Sequence, residues 1–471
     1  MFFVGATPCG CPDCGWPHGA APTGVCMDFN ETADKIESLL RARPQDGWEI
    51  FQVASRNLSI EVKEQKVDTF TCSAPVGVSI RVLTAGRMGF SFSTSLDEAD
   101  LGNMIDNALV GAENQTADEF LGFPLPEVYP DIPGLFDEGL SLVGETEKIE
   151  RAVALERLTL AADSRVKRVR KASYGESSYD VAIRNSLGVA GSYRGTSVSC
   201  SVSAVAEEGG DSQMGWDFGF STAFAGVQVE EIAGRAAAKA AGLLGARKIP
   251  TMRCPAILDN YVATEILEVL APAFLAENIQ KGKSLLAGRE GERLFASCLR
   301  IRDDGTLAGG MATAPFDGEG APRRNTVLVE EGVLRGFLYD GYCARREGKS
   351  STGNAARGGV KGPPRMGMNN FFIANGPAPA GSLLEGIARG ILVTSVMGMH
   401  TANPISGDFS VGAAGFLIEN GAVTSPVKGI AIAGNILELF GNVEKVGDAL
   451  RFFGSVGSPS LRIAELDVSG E

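Results

Sequence analysis

Glycine punctuates this chain, occupying 60 of 471 positions, while aromatic residues make up only 7%. A backbone that turns so often, with so few large side chains, reads as many tight turns joining short strands rather than as a helical bundle. The hydrophobic share of 44% is that of a chain able to bury a core. At roughly 150 residues per domain, such a length corresponds to two or three domains.

Periodicity fills in the pattern. Asn30 can cap a helix running to Arg43, with Ile36, Leu39 and Leu40 on one stripe. Strand-like runs follow at Trp48–Ala54, Leu58–Glu64, Val67–Cys72 and Val76–Leu83, and Asp97–Ala112 is an amphipathic helix. Pro124, Pro126, Pro130 and Pro133 mark a connector, because proline joins neither a ladder nor a helix interior. Glu145–Ser164 predicts a long helix. Strands are expected at Val169–Tyr174, Ser178–Asn185, Ala190–Ala206 and Gln213–Ala225. The alanine-rich helix Val229–Leu244 suits close packing. Next come a short buried strand, Arg253–Asp259, and a helix, Ala263–Phe274. From Gly291 onward nearly everything reads as short strands and turns, with Leu328–Leu334 paired to Phe337–Tyr342 and a hairpin through Asn420-Gly421. The expectation is an α+β fold in two domains. Residues 28–247 form a mixed α/β N-terminal domain, and residues 248–471 a glycine-rich, mostly antiparallel β domain.

Charge narrows the function. The chain carries 43 basic and 57 acidic side chains, a net −14, which repels nucleic acid phosphates. The basic stretch Arg165–Lys171 alternates as the solvent face of a strand. No apolar run is long enough to span a bilayer, and the first residues lack a signal peptide's basic region and apolar core. A cytoplasmic protein is expected, in which Cys72, Cys200, Cys254, Cys298 and Cys343 are buried free thiols. Cys9, Cys11, Cys14 and His18 have donor types and spacing that could bind zinc. Their Gly- and Pro-rich surroundings read instead as an irregular extension over residues 1–27.

Other catalytic devices find little support. With two histidines, a Ser-His-Asp or Cys-His arrangement is disfavoured. Gly305–Gly310 and Gly353–Gly362 lack the spacing of a phosphate-binding loop, and Gly454–Ser458 reads as a strand-end turn. Asp303-Asp304 and Glu330-Glu331 read as solvated turn residues. The basic, glycine-rich segment Asn354–Pro364 could cover a peptide groove, with Arg357 pairing a peptide carboxylate, or be a plain surface loop.

Several motifs in fixed order are more specific. Ala344–Asn354 reads A-R-x-x-G-x-x-S-T-G-N. Ser406–Ser410 reads S-G-D-F-S, and Gly415–Gly421 reads G-F-L-I-E-N-G. Pro426–Gly429 and Ile432–Asn435 continue the series. In these residues the chain resembles the TldD/PmbA family, over nearly its whole length and most strongly in its last third. TldD-type members carry H-E-x-x-x-H on a helix and a late cysteine, which hold zinc and a general base. The matching helix here, placed by the downstream Gln280–Ser284, has Glu268 at the general-base position. Leu267 and Pro272 stand where the zinc histidines would be, and Arg451–Ser455 has no cysteine. The resemblance therefore implies the metal-less PmbA/TldE type, with no cofactor in this chain and zinc in a TldD-like partner. That partner would form a heterodimer with it, or the chain would form a homodimer, acting on unstructured peptides, with no nucleic acid and no membrane. Arg346, Asn354, Arg357, His400 and Asp408 are the candidate substrate- or partner-binding residues, and Glu268 the one candidate for catalysis. His400 alone cannot complete a three-ligand site. The alternatives are an independent peptidase with an unrecognised site, or a peptide- or protein-binding regulator such as a gyrase modulator.

Overall fold

The computed structural model describes residues 28–471; Cys9, Cys11, Cys14 and His18 lie outside the described residues. The first half runs α1 (Phe29–Arg41), β1 (Gly47–Lys63), β2 (Lys66–Ser73), β3 (Val76–Thr84), β4 (Arg87–Ser93) and α2 (Glu98–Glu113). It continues with α3 (Glu145–Ala162), β5 (Val166–Asn185), β6 (Ala190–Glu208), β7 (Asp211–Ser221) and α4 (Val229–Gly242). The α+β class expected from the periodicity is the one that forms. The cap of α1 is Asp28 rather than Asn30: its carboxylate accepts from the Asn30 and Glu31 amides.

β1 is one 17-residue strand where two runs were expected. Ser55, Arg56 and Asn57 bridge the runs because they continue the ladder with β5, opposite Tyr179, Ser178 and Ser177. β1 is the spine of a seven-stranded antiparallel sheet, with six strands in the order β4-β3-β1-β5-β6-β7 and the seventh, β2, paired to β1 off this path. Its first stretch pairs with β3 and its last with β2. Two bulges in β5 fall within the basic stretch, so burial there repeats every third residue, and Lys167, Arg168, Arg170 and Lys171 face solvent.

One face of the sheet is covered by helices. Ile50, Val78, Ile80 and Val82 pack against α1 and α2. Ile60, Tyr174 and Val202 pack against α3 and α4. Each such fully buried side chain contributes about 1.5–3 kcal/mol. The contact is so close that a Cβ at Gly89 would lie 1.8 Å from the Ala108 carbonyl oxygen, and one at Gly215 would lie 2.2 Å from that of Ala236. Strand alternation sends Glu49, Phe51 and Val53 to the opposite face, toward the second half of the chain.

That half runs β8 (Met252–Leu258), α5 (Asn260–Leu270), α6 (Ala276–Gln280), β9 (Ile301–Asp304), β10 (Asn325–Glu330), β11 (Val333–Leu334) and α7 (Gly341–Arg346). Then come β12 (Ala355–Ala356), β13 (Arg365–Met366), β14 (Phe371–Ile373), β15 (Arg389–Met397), β16 (Asp408–Glu419) and β17 (Ala422–Asn435). Last are β18 (Val443–Val446), β19 (Arg451–Phe453), β20 (Val456–Ser458) and β21 (Leu461–Ser469). Strands β17-β16-β15-β8-β21 form a ring, closed where β21 returns to β17 at Ile432↔Val468. A second sheet runs β11-β10-β9-β14-β20-β19. The pairs β15–β8 and β14–β20 are parallel, and the other ladders are antiparallel. α5 buries Val262, Ile266, Leu267 and Leu270 in the core shared by ring and sheet.

Two expectations need correction here. Phe337–Tyr342 is not a strand: Leu338 exchanges backbone hydrogen bonds with Phe274 and Ala276, and Asp340 caps α7 by accepting from Cys343. The helix expected to reach Phe274 ends as α5 at Leu270. A 3-10 turn, Ala271–Phe274, follows, because Pro272 has no N–H to continue the α pattern. Among the described residues no helix is long and apolar enough to cross a membrane.

Candidate functional site

With its apolar side in the core, α5 turns Tyr261, Glu265 and Glu268 outward along one stripe. Asp259 caps the helix by accepting from Val262, and its burial pushes its carboxyl up to about 6. Glu268 reaches solvent, yet burial of its inner part, reinforced by Glu265, holds its carboxyl above the ordinary range. The Tyr261 ring lies 5.2 Å from Phe453 and 6.2 Å from Trp216. Behind these rings Asp217, fully buried, receives Arg235 at 2.7 Å, Lys239 at 3.1 Å and Arg451 at 2.8 Å. Three cations on one carboxylate leave a positive, aromatic wall, built from β7, α4 and β19, beside an acidic helix face.

Zinc chemistry does not fit this face. Leu267 is fully buried in the apolar core, and Pro272 offers no donor atom. Among the described residues no three His, Cys, Asp or Glu side chains converge as metal ligands. The thiols are no better placed for catalysis: burial pushes Cys200 and Cys343 up to about 12. Cys72 is exposed, contrary to the expectation of a buried thiol, because it lies on the exposed strand β2.

The other candidate residues do not gather around α5. His400 alone is close, exposed on the turn Met399–Thr401 that packs beside α5. Asp408 is exposed and accepts from Asn435 at 3.0 Å, which holds its carboxyl below the ordinary range. Arg346 is exposed at the end of α7, over the Tyr342 ring.

Asn354 is buried, donating to Asp303 at 2.7 Å and to the Gly367 carbonyl at 3.0 Å, and is an internal tie rather than a contact surface. Asp303 and Asp304 are correspondingly not solvated: they lie in β9, 0% and 7% exposed, and burial pushes Asp303 up to about 6.

Arg357 is the clearest correction. Its side chain is 2% exposed, ion-paired to Glu49 and bonded to the Gly318 carbonyl at 2.6 Å, so it is not free for a peptide carboxylate. It belongs to a buried network that sequence reading missed. Arg81 pairs with Glu49 and with Glu319 at 2.9 Å, and Glu319 also accepts from the Gly341 amide. Burial would lower the Arg81 pKa, but Glu49 and Glu319 reverse the direction and raise it. For Arg357 burial wins, lowering it to about 10. The only signal in the sequence is a pair of carboxylates set among glycines, Asp317-Gly318-Glu319-Gly320.

Comparison with known proteins adds the family. Models of the PmbA/TldA metallopeptidase match in three consecutive pieces: domain 1 over residues 48–112, the central domain over 139–244 and the C-terminal domain over 251–470. The chain is 30% identical to "Uncharacterized protein MJ0231" of Methanocaldococcus jannaschii, covering 90% of this chain and 98% of that one. It is 28% identical to "Metalloprotease PmbA" of Escherichia coli O157:H7, covering 92% and 94%. The crystal structure of TldE from Thermococcus kodakarensis superposes with a TM-score of 0.86 at 26% identity, covering 93% of this chain and 100% of that one.

Proposed function

Because this chain belongs to the PmbA/TldD metallopeptidase family, we propose that it works as a metal-less, PmbA/TldE-type subunit of a zinc peptidase acting on unstructured peptides. The observation that carries this reading is α5. The position that needs an imidazole holds Leu267, buried in the core, and the second holds Pro272, while the neighbouring Glu268 keeps a carboxylate at the surface. The zinc then belongs to a TldD-like partner subunit, and no step of metal chemistry is assigned to this chain. What this chain offers is the acidic helix face with its aromatic and cationic wall, suited to holding an extended peptide or a partner's complementary surface. The likeness to a TldE structure supports the subunit role. A cytoplasmic location accompanies this reading.

The test is peptide hydrolysis by the purified chain, alone and mixed with an H-E-x-x-x-H relative from the same genome. Activity in the mixture only, with zinc in the partner, is expected. Hydrolysis by this chain alone with stoichiometric metal would overturn the proposal.

A further inference from the structure

The basic stretch at the start of β5 takes no part in the site described above, and its cations are not equivalent. Arg165 is ion-paired to Asp163 at 2.7 Å, Arg168 to Glu207 at 3.3 Å, and Lys171 to Glu61. Lys167 donates to the Ser164 carbonyl at 2.8 Å. Arg170 is the exception. It is the extra residue of a bulge between Val169 and Lys171, and among the described residues no carboxylate lies within ion-pair distance of it. Lys63, the last residue of β1, is unpaired in the same sense.

Lys63, Arg168 and Arg170 rim a cavity of about 420 Å³ on the outer face of the long sheet. Val205 and Met214, opposite one another in the β6–β7 ladder, form its apolar base, and among the described residues no acidic side chain lines it. A cationic rim over an apolar base selects a carboxylate carried on a short hydrocarbon stem.

Met214 also begins a row. Strand alternation puts Trp216 and Phe218 on the same face, while Gly215 and Asp217 turn toward α4. Met214 is 55% and Trp216 39% exposed, so the row is open to a ligand. The Trp216 ring stacks on Phe218, and its centroid lies 6.2 Å from that of Tyr261 on α5. Cavity and α5 are thus two ends of one surface. Two residues of strand separate Met214 from Trp216, so the path from the cavity to Tyr261 is about 13 Å, the reach of about four residues of extended peptide. The ends differ in sign: Glu265 and Glu268 stand at α5, Lys63 and Arg170 at the cavity.

We propose that the cavity takes an acidic side chain of an extended peptide lying along this row, about four residues from the part that rests on α5, and so sets the direction in which the peptide lies. The proposal rests on the reading of this chain as a peptidase subunit, and it names peptides with a suitably spaced aspartate or glutamate as the favoured substrate class. Elsewhere the net charge of −14 repels such a residue.

The experiment is fluorescence anisotropy with the full chain and short labelled peptides. Each carries a central phenylalanine and, about four residues to either side, glutamate, glutamine or lysine. The glutamate peptide is expected to bind about fivefold to tenfold more tightly than the glutamine peptide, with lysine weakest, and added salt is expected to shrink the difference. Arg170→Gln is expected to cut that preference at least threefold. Lys167→Gln removes one charge from the same stretch outside the cavity and is expected to leave the preference unchanged. Both side chains are exposed, so neither change disturbs the core. Equal binding of the glutamate and glutamine peptides overturns the proposal. So does an equal loss in the two variants, which would trace the effect to the general field. Should the peptides not discriminate while Arg170→Gln weakens association with an H-E-x-x-x-H relative, the cavity is a subunit contact and the proposal falls. Discrimination by this chain with an inert mixture would sink the subunit reading and leave the cavity; hydrolysis by the mixture without discrimination would do the reverse.

Discussion

Glu49→Gln should be among the most damaging conservative changes in this protein. The Glu49 side chain is 1% exposed and serves two arginines, Arg81 at 7% and Arg357 at 2% exposure. Glutamine fits the same space but removes the charge, leaving two buried guanidinium groups to share Glu319. Breaking a buried ion pair from one side costs about 3–5 kcal/mol, because an uncompensated charge stays behind. That is about two to four powers of ten in the folding equilibrium. The assay is urea denaturation, which adds no salt to screen the charges, followed through tryptophan fluorescence; Trp48 adjoins Glu49 in β1. Adding Arg357→Met to Glu49→Gln removes one stranded charge. The double variant is therefore expected to recover about 1–3 kcal/mol relative to the sum of the two single changes. A Glu49→Gln loss below about 1 kcal/mol would refute the reasoning, since that is the size of a solvent-screened surface pair.

Two further outcomes follow from the same principles. Burial beside Glu319 pushes the Asp317 carboxyl up to about 7 from 3.8, so the folded state binds the extra proton between those values and loses stability as pH rises through that window. The stability advantage of the unaltered chain over Asp317→Asn, read from urea midpoints, should be largest near pH 4 and shrink by pH 7.5; an advantage that grows with pH would contradict this. Gly89→Ala would drive a Cβ into the backbone of α2 at Ala108, and the resulting overpacking should cost about 1–3 kcal/mol or more in thermal or urea unfolding.

Much of this fold is legible in the chain because local signals agree with the final structure. Ile36 and Leu40 on one stripe of α1, and the Asn420-Gly421 turn between β16 and β17, need only neighbouring residues to be read. The failures share a different cause. Two runs merge into β1 because β5 supplies the ladder that carries Ser55–Asn57 across the gap. Phe337–Tyr342 looks like a strand by composition, but its backbone finds partners at Phe274 and Ala276. Asp303 looks like a solvated turn acid until Asn354 and Asn369 arrive from distant loops to satisfy it. The site shows the same division. Leu267 on α5 and Pro272 in the turn just beyond it can be placed from the sequence, whereas the occupation of Arg357 by Glu49 depends on a pairing that no local pattern contains.

The ladder between β1 and β5 also has a consequence for biosynthesis. Glu49 sits opposite Asn185, and Val62 opposite Ala172, so the spine of the first sheet meets a principal partner only after the intervening chain has been made. At about 5–20 residues per second, β1 waits many seconds on the ribosome with Ile50 and Ile60 not yet fully enclosed. Synthesis rate and holding chaperones should therefore govern the yield of this protein more strongly than its final stability does, and slowed translation between β4 and β5 would be the place to see it.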